Sequence, residues 1–199
     1  MIEPIYTNPT GLDLAAKELG EYLKIKNTWL DRWFGVSERK VEGKGEMNIR
    51  SKPYYDISYP AVYSGKGNSY INLLPNSKYG NYGYLDFDDM LKVDHKILNP
   101  IMNLNMKGQI VLWWDYRKIY GADFNDYRNW NVIEPILKDL GDQNFTNLDK
   151  LEITNVNFRV QEIFDDYNHK ELENQFAMRP YGIAGINLKF NVKIEILCD

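Results

Sequence analysis

Cysteine and histidine are scarce in this chain of 199 residues. The single cysteine, Cys198, stands beside the C-terminus, so no disulfide can form within the chain, and oxidising export is not indicated. The two histidines, His95 and His169, lack the spacing of metal ligands, and we expect both at the surface. A disulfide scaffold and a histidine-based metal site are therefore not expected.

Long apolar runs and excess positive charge are also missing. The longest apolar run, residues 110–114, is far too short to cross a bilayer, and the N-terminus has no feature of a signal peptide. A net charge of −4 and a pI of about 5.3 disfavour a protein that grips DNA or an anionic membrane. We expect a protein made in the cytoplasm, without a membrane partner.

Motifs that carry known chemistry are absent. The sequence has no nucleophile elbow, Walker motif or dinucleotide fingerprint, and Gly43-Lys-Gly45 lacks the spacing of a phosphate loop. Lys193-Ile-Glu195 reverses the order that a nuclease of the restriction type requires. We therefore predict no catalytic residue, cofactor or metal, and a protein that is not an enzyme.

The clearest pattern present is an alternation near the C-terminus. From Ile186 to Ile196 every even position is apolar, and the odd positions between them are polar. Side chains on a strand point alternately to opposite faces, so the pattern predicts a strand with one buried face and one wet face. Eleven residues would span roughly 36 Å, which is long for a strand.

The rest of the chain predicts one α+β domain with a mainly antiparallel or mixed sheet and about three helices on one face. Residues 10–35 read as two helices, the second comprising Trp29 to Phe34 and capped by Gly35. Residues 38–52 read as an exposed loop, 54–89 as a tyrosine- and glycine-rich region of strands and loops, and 108–197 as the sheet and helix core.

Finer features complete this prediction. Pro60 confines its strand to a sheet edge or an irregular segment, and Met90 begins a run with helical spacing. Residues 109–115 are apolar on both faces and predict a central strand. Asn131 is expected to cap a helix that has Pro135 in its first turn, Trp130 on its apolar face, and Gly141 at its end.

Aromatic residues make up 14% of the chain, with 15 tyrosines and 5 tryptophans. They form either an aromatic-rich core or surfaces that are buried against a partner, since Tyr and Trp combine a large apolar body with a polar tip. The tyrosines between 54 and 84 are too many for one core. The predicted interface residues are Trp29, Trp33, Tyr54, Tyr55, Tyr59 and Tyr63.

A small acidic cluster supports an alternative function, that of a metal-dependent enzyme. Asp86, Asp88 and Asp89, with Asp94 and His95 just beyond, could hold a hard cation such as Mg²⁺ for a metal-dependent enzyme. Aspartates at the start of a helix also occur because they cap exposed N–H groups, and this is the favoured interpretation. A small adaptor or binding module is a third hypothesis.

Four segments together resemble the tail-completion, or tail-terminator, neck ring proteins of tailed bacteriophages, possibly crAss-like ones. They are Tyr59-Pro-Ala-Val-Tyr63, Asn81-Tyr-Gly-Tyr84, Arg159-Val-Gln-Glu-Ile-Phe164 and Gln175-Phe-Ala-Met-Arg-Pro-Tyr-Gly182. The resemblance implies a virion structural protein, a head–tail connector that forms a homo-oligomeric ring of 12-fold or 6-fold symmetry. Its partners would be portal, neck or tail proteins, and double-stranded DNA would pass through the ring without tight binding during ejection.

Such a channel should repel phosphate so that DNA can slide. Asp165, Asp166, Glu171 and Glu173 lie in an acidic segment before the last strand, and we expect them to face the channel. A ring closes through heterologous contacts, so each subunit needs two different adhesive surfaces, which the surplus of aromatic residues would supply. The loop 41–52 is expected to reach a neighbouring ring of the virion.

Overall fold

The structure, a computed structural model, describes residues 11–42, 57–67, 69–94, 101–167, 176 and 178–195, with the backbone alone at 42, 88–94, 101 and 195. It confirms the predicted α+β fold, with two mostly antiparallel sheets where one sheet was predicted. The helices are α1 (Leu12–Lys26), α2 (Tyr116–Tyr120), α3 (Asn129–Asp142) and α4 (Val160–Ile163). The strands are β1 (Arg32–Val36), β2 (Glu38–Glu42), β3 (Ile57–Tyr63), β4 (Tyr70–Asn72), β5 (Tyr82–Asp94), β6 (Ile101–Asp115), β7 (Leu148–Asn157) and β8 (Tyr181–Glu195).

A five-stranded sheet with the order β1-β5-β6-β8-β7 forms the centre of the fold. β1 runs parallel to β5, and the other neighbours are antiparallel. β6 and β8 pair without a register shift from Ile101↔Glu195 to Asp115↔Tyr181. The predicted central strand at 109–115 and the predicted long final strand are therefore adjacent in the sheet, and both predictions are confirmed.

The alternation in β8 separates two cores. Its even residues from Ala184 to Val192 are buried with α1 and α3 on one side of the sheet. On the other side, Ile183 of β8 joins a second core with Val111 and Trp113 of β6, with Ile71 of the smaller sheet and with Leu73 just after it. A three-stranded sheet, in the order β2-β3-β4, thus covers part of the face opposite the two long helices.

The helices lie mostly on one face, as predicted. α1 buries Ala15, Ala16, Leu19 and Leu23, which recur at the spacing read from the sequence. α3 and Tyr116 of α2 pack into the same core, whereas Ile163 of α4 belongs to the second core. Among the residues described, no helix is both long enough and apolar enough to span a membrane.

The predicted second helix is wrong, because Trp33 and Phe34 lie in β1. On a strand, consecutive side chains point to opposite faces, and here Trp33 enters the helix-side core while Phe34 enters the second core. Gly35 has φ +73°, as a helix cap would, but it lies in an irregularity of the β1–β5 register. A strand covered on both sides therefore produced the dense apolar run that resembled a helix.

Two further segments are strands where other structure was predicted. Residues 38–42 form β2, so the exposed loop predicted for 38–52 is wrong over this part, and 43–52 lie outside the described residues. The run beginning at Met90 continues β5 instead of forming a helix, and Ile101 begins β6. In both cases pairing with a neighbouring strand determines the structure.

Pro60 lies in β3, the middle strand of the small sheet, so its predicted edge position is wrong. The Leu73 N–H donates to the Pro60 carbonyl at 2.9 Å, and in a regular ladder a Pro60 N–H would return a bond to the Leu73 carbonyl. Proline has no such donor. The buried Tyr82 hydroxyl donates to the Leu73 carbonyl instead, at 3.1 Å, and to the Leu74 carbonyl at 2.9 Å.

In α3 a tyrosine hydroxyl again compensates for the missing N–H of a proline. It begins at Asn129 and ends at Asp142, so the predicted start at Asn131 and end at Gly141 are each displaced, and Pro135 lies inside the helix instead of in its first turn. The missing Pro135 N–H leaves the Asn131 carbonyl without its helical partner. The Tyr120 hydroxyl donates to that carbonyl at 3.4 Å.

Replacing Trp33 tests its place in the core. Trp33 is 6% exposed, and its indole N–H donates to the Ala16 carbonyl at 2.9 Å. We expect Trp33→Ala to lower the free energy of unfolding by about 3–5 kcal/mol in urea titrations. Trp130→Ala, at a tryptophan that is 49% exposed, is the matched control and should change it by less than about 1 kcal/mol. Equal effects of the two substitutions would refute this placement.

A double-mutant cycle tests the compensation at Pro60. We expect Tyr82→Phe to cost about 1–3 kcal/mol of unfolding free energy, because the carbonyls of Leu73 and Leu74 lose their donor. Pro60→Ala supplies an N–H to the Leu73 carbonyl. Its effect on the unfolding free energy should therefore be more favourable in the Tyr82→Phe background than in the wild type. Strictly additive effects in chemical denaturation would show that the two groups do not share the carbonyl.

Candidate functional site

The outer face of the small sheet presents a group of tyrosines. Cross-strand partners in this sheet are Lys40↔Tyr59 and Tyr63↔Tyr70, and residues two apart on a strand share a face. Tyr59, Tyr63, Tyr70 and Lys40 therefore lie together on one side, which we term the tyrosine face. The other side carries the buried Ser58, Pro60 and Ile71 towards the second core.

Contacts within the tyrosine face hold its rings in place. The rings of Tyr63 and Tyr70 meet edge to face at 5.7 Å, and the Lys40 ammonium lies 3.3 Å from the centre of the Tyr70 ring. Lys40 also pairs with Glu38 at 3.4 Å. Tyr63 and Tyr70 remain 38% and 36% exposed, so the face presents ordered aromatic surface to solvent. Ordered tyrosines of this kind lose little conformational entropy when a partner covers them.

A second aromatic surface lies on the opposite layer, beside α2 and α3. Tyr120 stacks on Phe124 at 4.2 Å and is 42% exposed. Trp130, at the start of α3, meets Phe158 edge to face at 6.5 Å. We call Tyr120, Phe124 and Trp130 the helix-side surface. It shares no element with the tyrosine face, and the five-stranded sheet separates the two.

The predicted interface residues therefore divide into three groups. Tyr59 and Tyr63 lie on the tyrosine face, whereas Tyr54 and Tyr55 lie outside the described residues. Trp33 is a core residue and its interface assignment is wrong, and Trp29 is half-buried with its ring 6.1 Å from that of Trp114. No sequence pattern separates Tyr70 and Tyr120 from the other tyrosines. The predicted place of Trp130 on the apolar face of α3 is wrong, because that face consists of Val132, Ile133, Ile136 and Leu140 and Trp130 is 49% exposed.

Asp86, from the proposed acidic cluster, is buried in β5 and already has protein donors. The hydroxyl of Ser37, between β1 and β2, donates to its carboxylate, and so does the Tyr167 hydroxyl at 2.8 Å. Gln109 of β6 adds a further side-chain hydrogen bond. The carboxylate thus links the five-stranded sheet to the connection into the small sheet and to the turn after α4.

Burial raises the pKa of Asp86, although the hydrogen bonds from Ser37, Tyr167 and Gln109 oppose the shift. The side chains of Asp88, Asp89 and Asp94, and His95 as a whole, lie outside what the structure describes. Among the described side chains, no three histidine, cysteine, aspartate or glutamate residues come together as a metal site would require. The hypothesis of a metal-dependent enzyme therefore stays a prediction in which only Asp86 is placed.

The acidic residues expected in a channel are only partly placed. Asp165 and Asp166 are exposed in the turn that follows α4, on the same side of the large sheet as the small sheet. Glu171 and Glu173 lie outside the described residues. The expectation that this segment faces DNA stays a prediction.

No protein-family model matches the chain, and no curated protein is significantly similar to it. Similarity therefore identifies no active residue and no binding residue. The geometry of the two aromatic surfaces and of the buried carboxylate is the basis for assigning a function.

The raised pKa of Asp86 predicts a specific pH dependence. A carboxyl group with a higher pKa in the folded than in the unfolded chain favours folding most below its unfolded pKa, and this contribution is lost as pH rises through the folded pKa. We expect Asp86→Asn to remove that dependence. Between about pH 4 and neutrality, the unfolding free energy of the wild type should therefore decrease relative to that of the variant. If the unfolding free energies of the wild type and of Asp86→Asn change in parallel with pH in urea titrations, the predicted pH dependence is wrong.

Proposed function

We propose that this chain is a structural virion protein that forms a homo-oligomeric ring between the portal and the tail of a tailed phage. The observation that carries the proposal is the presence of two unlike exposed aromatic surfaces on opposite layers of one subunit. The tyrosine face belongs to the small sheet, and the helix-side surface belongs to α2 and α3. A subunit that joins identical copies through two different surfaces forms a closed ring if the rotation between copies closes.

The composition of the surfaces supports a protein–protein contact. Tyrosine and tryptophan are enriched in the central parts of interfaces and contribute a large share of the binding energy there. The tyrosine face also carries Lys40, and Asp126 and Glu134 lie near Trp130 on the helix side. Each of these charges already has a partner within the subunit, Lys40 with Glu38, Asp126 with Arg128 and Glu134 with Lys138, so the aromatic side chains supply the attraction between the two surfaces.

The position in a virion comes from the resemblance to neck ring proteins, and the geometry is compatible with it. A net charge of −4 suits a ring through which DNA slides, and exposed Asp165 and Asp166 would repel its phosphates. In this proposal the ring has 12-fold or 6-fold symmetry and contacts portal, neck or tail proteins. Catalysis has no part in it.

Complementation between two variants tests head-to-tail assembly. We expect Tyr63→Ala/Tyr70→Ala to remove one surface and Trp130→Ala the other, each weakening self-association by more than about tenfold. Each variant alone should be monomeric under conditions where the wild type forms rings. An equimolar mixture retains one intact pair of surfaces per complex, so it should form a dimer that contains one copy of each variant.

Sedimentation velocity and mass photometry measure these species. Ile25→Ala, at an isoleucine on α1 that is 75% exposed and outside both surfaces, is the matched control and should assemble like the wild type. A wild-type chain that stays monomeric at all concentrations, or variants that assemble normally, would contradict the proposal. A dimer formed by one variant alone would indicate that the contact joins like surfaces, and failure of the mixture to dimerise would contradict the head-to-tail contact.

A further inference from the structure

Residues 159–167, which we term the α4 segment, lie on the face of the large sheet opposite the long helices. The helix in this segment has only four residues, and a helix of that length is not stable on its own. Ile163 is buried in the second core, and its carbonyl accepts from the Gln109 amide at 2.8 Å. At the end of the segment, the Tyr167 hydroxyl donates to the Asp86 carboxylate at 2.8 Å. Contacts with other parts of the chain therefore hold the segment in place.

The same carboxylate holds the connection into the small sheet. The Ser37 hydroxyl donates to Oδ1 of Asp86, the oxygen that also accepts from Tyr167. Arg39 of β2 places its guanidinium 5.9 Å from the centre of the Tyr167 ring and donates to the Ser58 hydroxyl of β3 at 3.3 Å. One carboxylate oxygen thus joins the α4 segment to the sheet that bears the tyrosine face.

Tyr84 supplies a further hydroxyl near this carboxylate. It lies two residues before Asp86 in β5, where the register with β6 is regular, so both side chains are on the same face of the sheet. Tyr84 is 0% exposed, and among the described residues its hydroxyl has no hydrogen-bond partner. Burial raises the pKa of Tyr84, and the Asp86 carboxylate raises it further, so the two groups lie within electrostatic reach. Because a buried hydroxyl without a partner is costly, Tyr84 is a donor available to Asp86 if Tyr167 withdraws.

We propose that Asp86, with Ser37 and Tyr167, forms a latch that couples the α4 segment to the small sheet. In the closed state the two hydroxyls share one oxygen of the carboxylate. In the open state Tyr167 withdraws, Tyr84 donates to the carboxylate in its place, and the α4 segment and the small sheet loosen together.

The latch connects two features of the proposed ring. Asp165 and Asp166, which are expected to face the channel, lie on the α4 segment, and the tyrosine face lies on the small sheet. Coupling between two sites is reciprocal, so a subunit contact through the tyrosine face should also hold the α4 segment closed. This consequence rests on the proposed function, whereas the latch itself belongs to a single subunit.

Hydrogen exchange followed by mass spectrometry tests the latch in the full-length chain, at a concentration at which it is monomeric. Tyr167→Phe removes one hydroxyl and keeps the ring beside Arg39. We expect amide exchange to become roughly tenfold faster in the α4 segment and also in β2 and β3, while β6 and β8 are unchanged. Ser37→Ala should have the same effect in the same two regions. Tyr84→Phe should slow exchange there, because the open state loses its donor.

Tyr22→Phe is the matched control. It removes a tyrosine hydroxyl that donates to the Asp139 carbonyl at 3.0 Å on the helix side, so exchange in the α4 segment and the small sheet should not change. If Tyr167→Phe speeds exchange in the α4 segment alone, or equally throughout the large sheet, the coupling is overturned. If Tyr84→Phe does not slow exchange, the exchange of donors at Asp86 is overturned.

Hydrogen exchange in the assembled state separates the latch from the ring. Slower exchange of the α4 segment on assembly supports the reciprocal coupling, and unchanged exchange overturns it. A chain that never assembles but responds to Tyr167→Phe in both regions would refute the ring and keep the latch. Rings that form from a chain with no such response would refute the latch and keep the ring.

Discussion

The continuous pairing of β6 with β8 is the constraint on which the rest of the structure depends. Fifteen residues of each strand face each other without a bulge, from Ile101↔Glu195 to Asp115↔Tyr181. Because side chains alternate along both strands, this register directs one set of residues towards α1 and α3 and the other set away from them. A slip by one residue would exchange the two sets. The two cores, and hence the two outer layers, follow from this one alignment.

In two places a proline removes the N–H that would bond a backbone carbonyl, and a tyrosine hydroxyl donates to that carbonyl instead. Tyr82 donates to the Leu73 carbonyl opposite Pro60, and Tyr120 donates to the Asn131 carbonyl that Pro135 leaves unbonded. A sheet and a helix thus each tolerate a proline where the backbone alone would be incomplete. Some of the chain's many tyrosines therefore donate hydrogen bonds to the backbone in addition to contributing apolar contacts.

The sequence was most informative where one face of an element is buried and the other is wet. α1 and β8 have this character, and their periodicity predicted them. Periodicity did not predict β1, because this strand is covered on both faces. Trp33 packs on one side and Phe34 on the other, so the apolar residues of the strand show no alternation. The sequence also failed for Pro60, since the hydroxyl that compensates for the proline comes from Tyr82, more than twenty residues away in the chain. Such long-range partners leave no local pattern.

The aromatic-rich composition admitted two interpretations, an aromatic core and surfaces that a partner covers, and the structure confirms the first for part of the aromatic residues while the second stays a prediction. Tyr79, Tyr82, Tyr84 and Tyr116 are buried, whereas Tyr63, Tyr70, Tyr120 and Trp130 keep a third or more of their surface exposed. Composition could predict that exposed aromatics would exist, and of the predicted interface residues that the structure describes, Tyr63 is one of them. It could not separate Trp33 from Trp130, because that distinction depends on which layer covers each residue. The exposed aromatics lie on both outer layers, which is the basis for the proposed head-to-tail assembly.

Site-specific photo-crosslinking tests that arrangement most directly. A photoreactive phenylalanine analogue at position 63 would occupy the tyrosine face, and mass spectrometry of the crosslinked chains would identify the residues it reaches. The account predicts crosslinks between subunits to Tyr120, Phe124 or Trp130 on the helix-side surface. Crosslinks to the tyrosine face of another copy, or none between subunits, would contradict it.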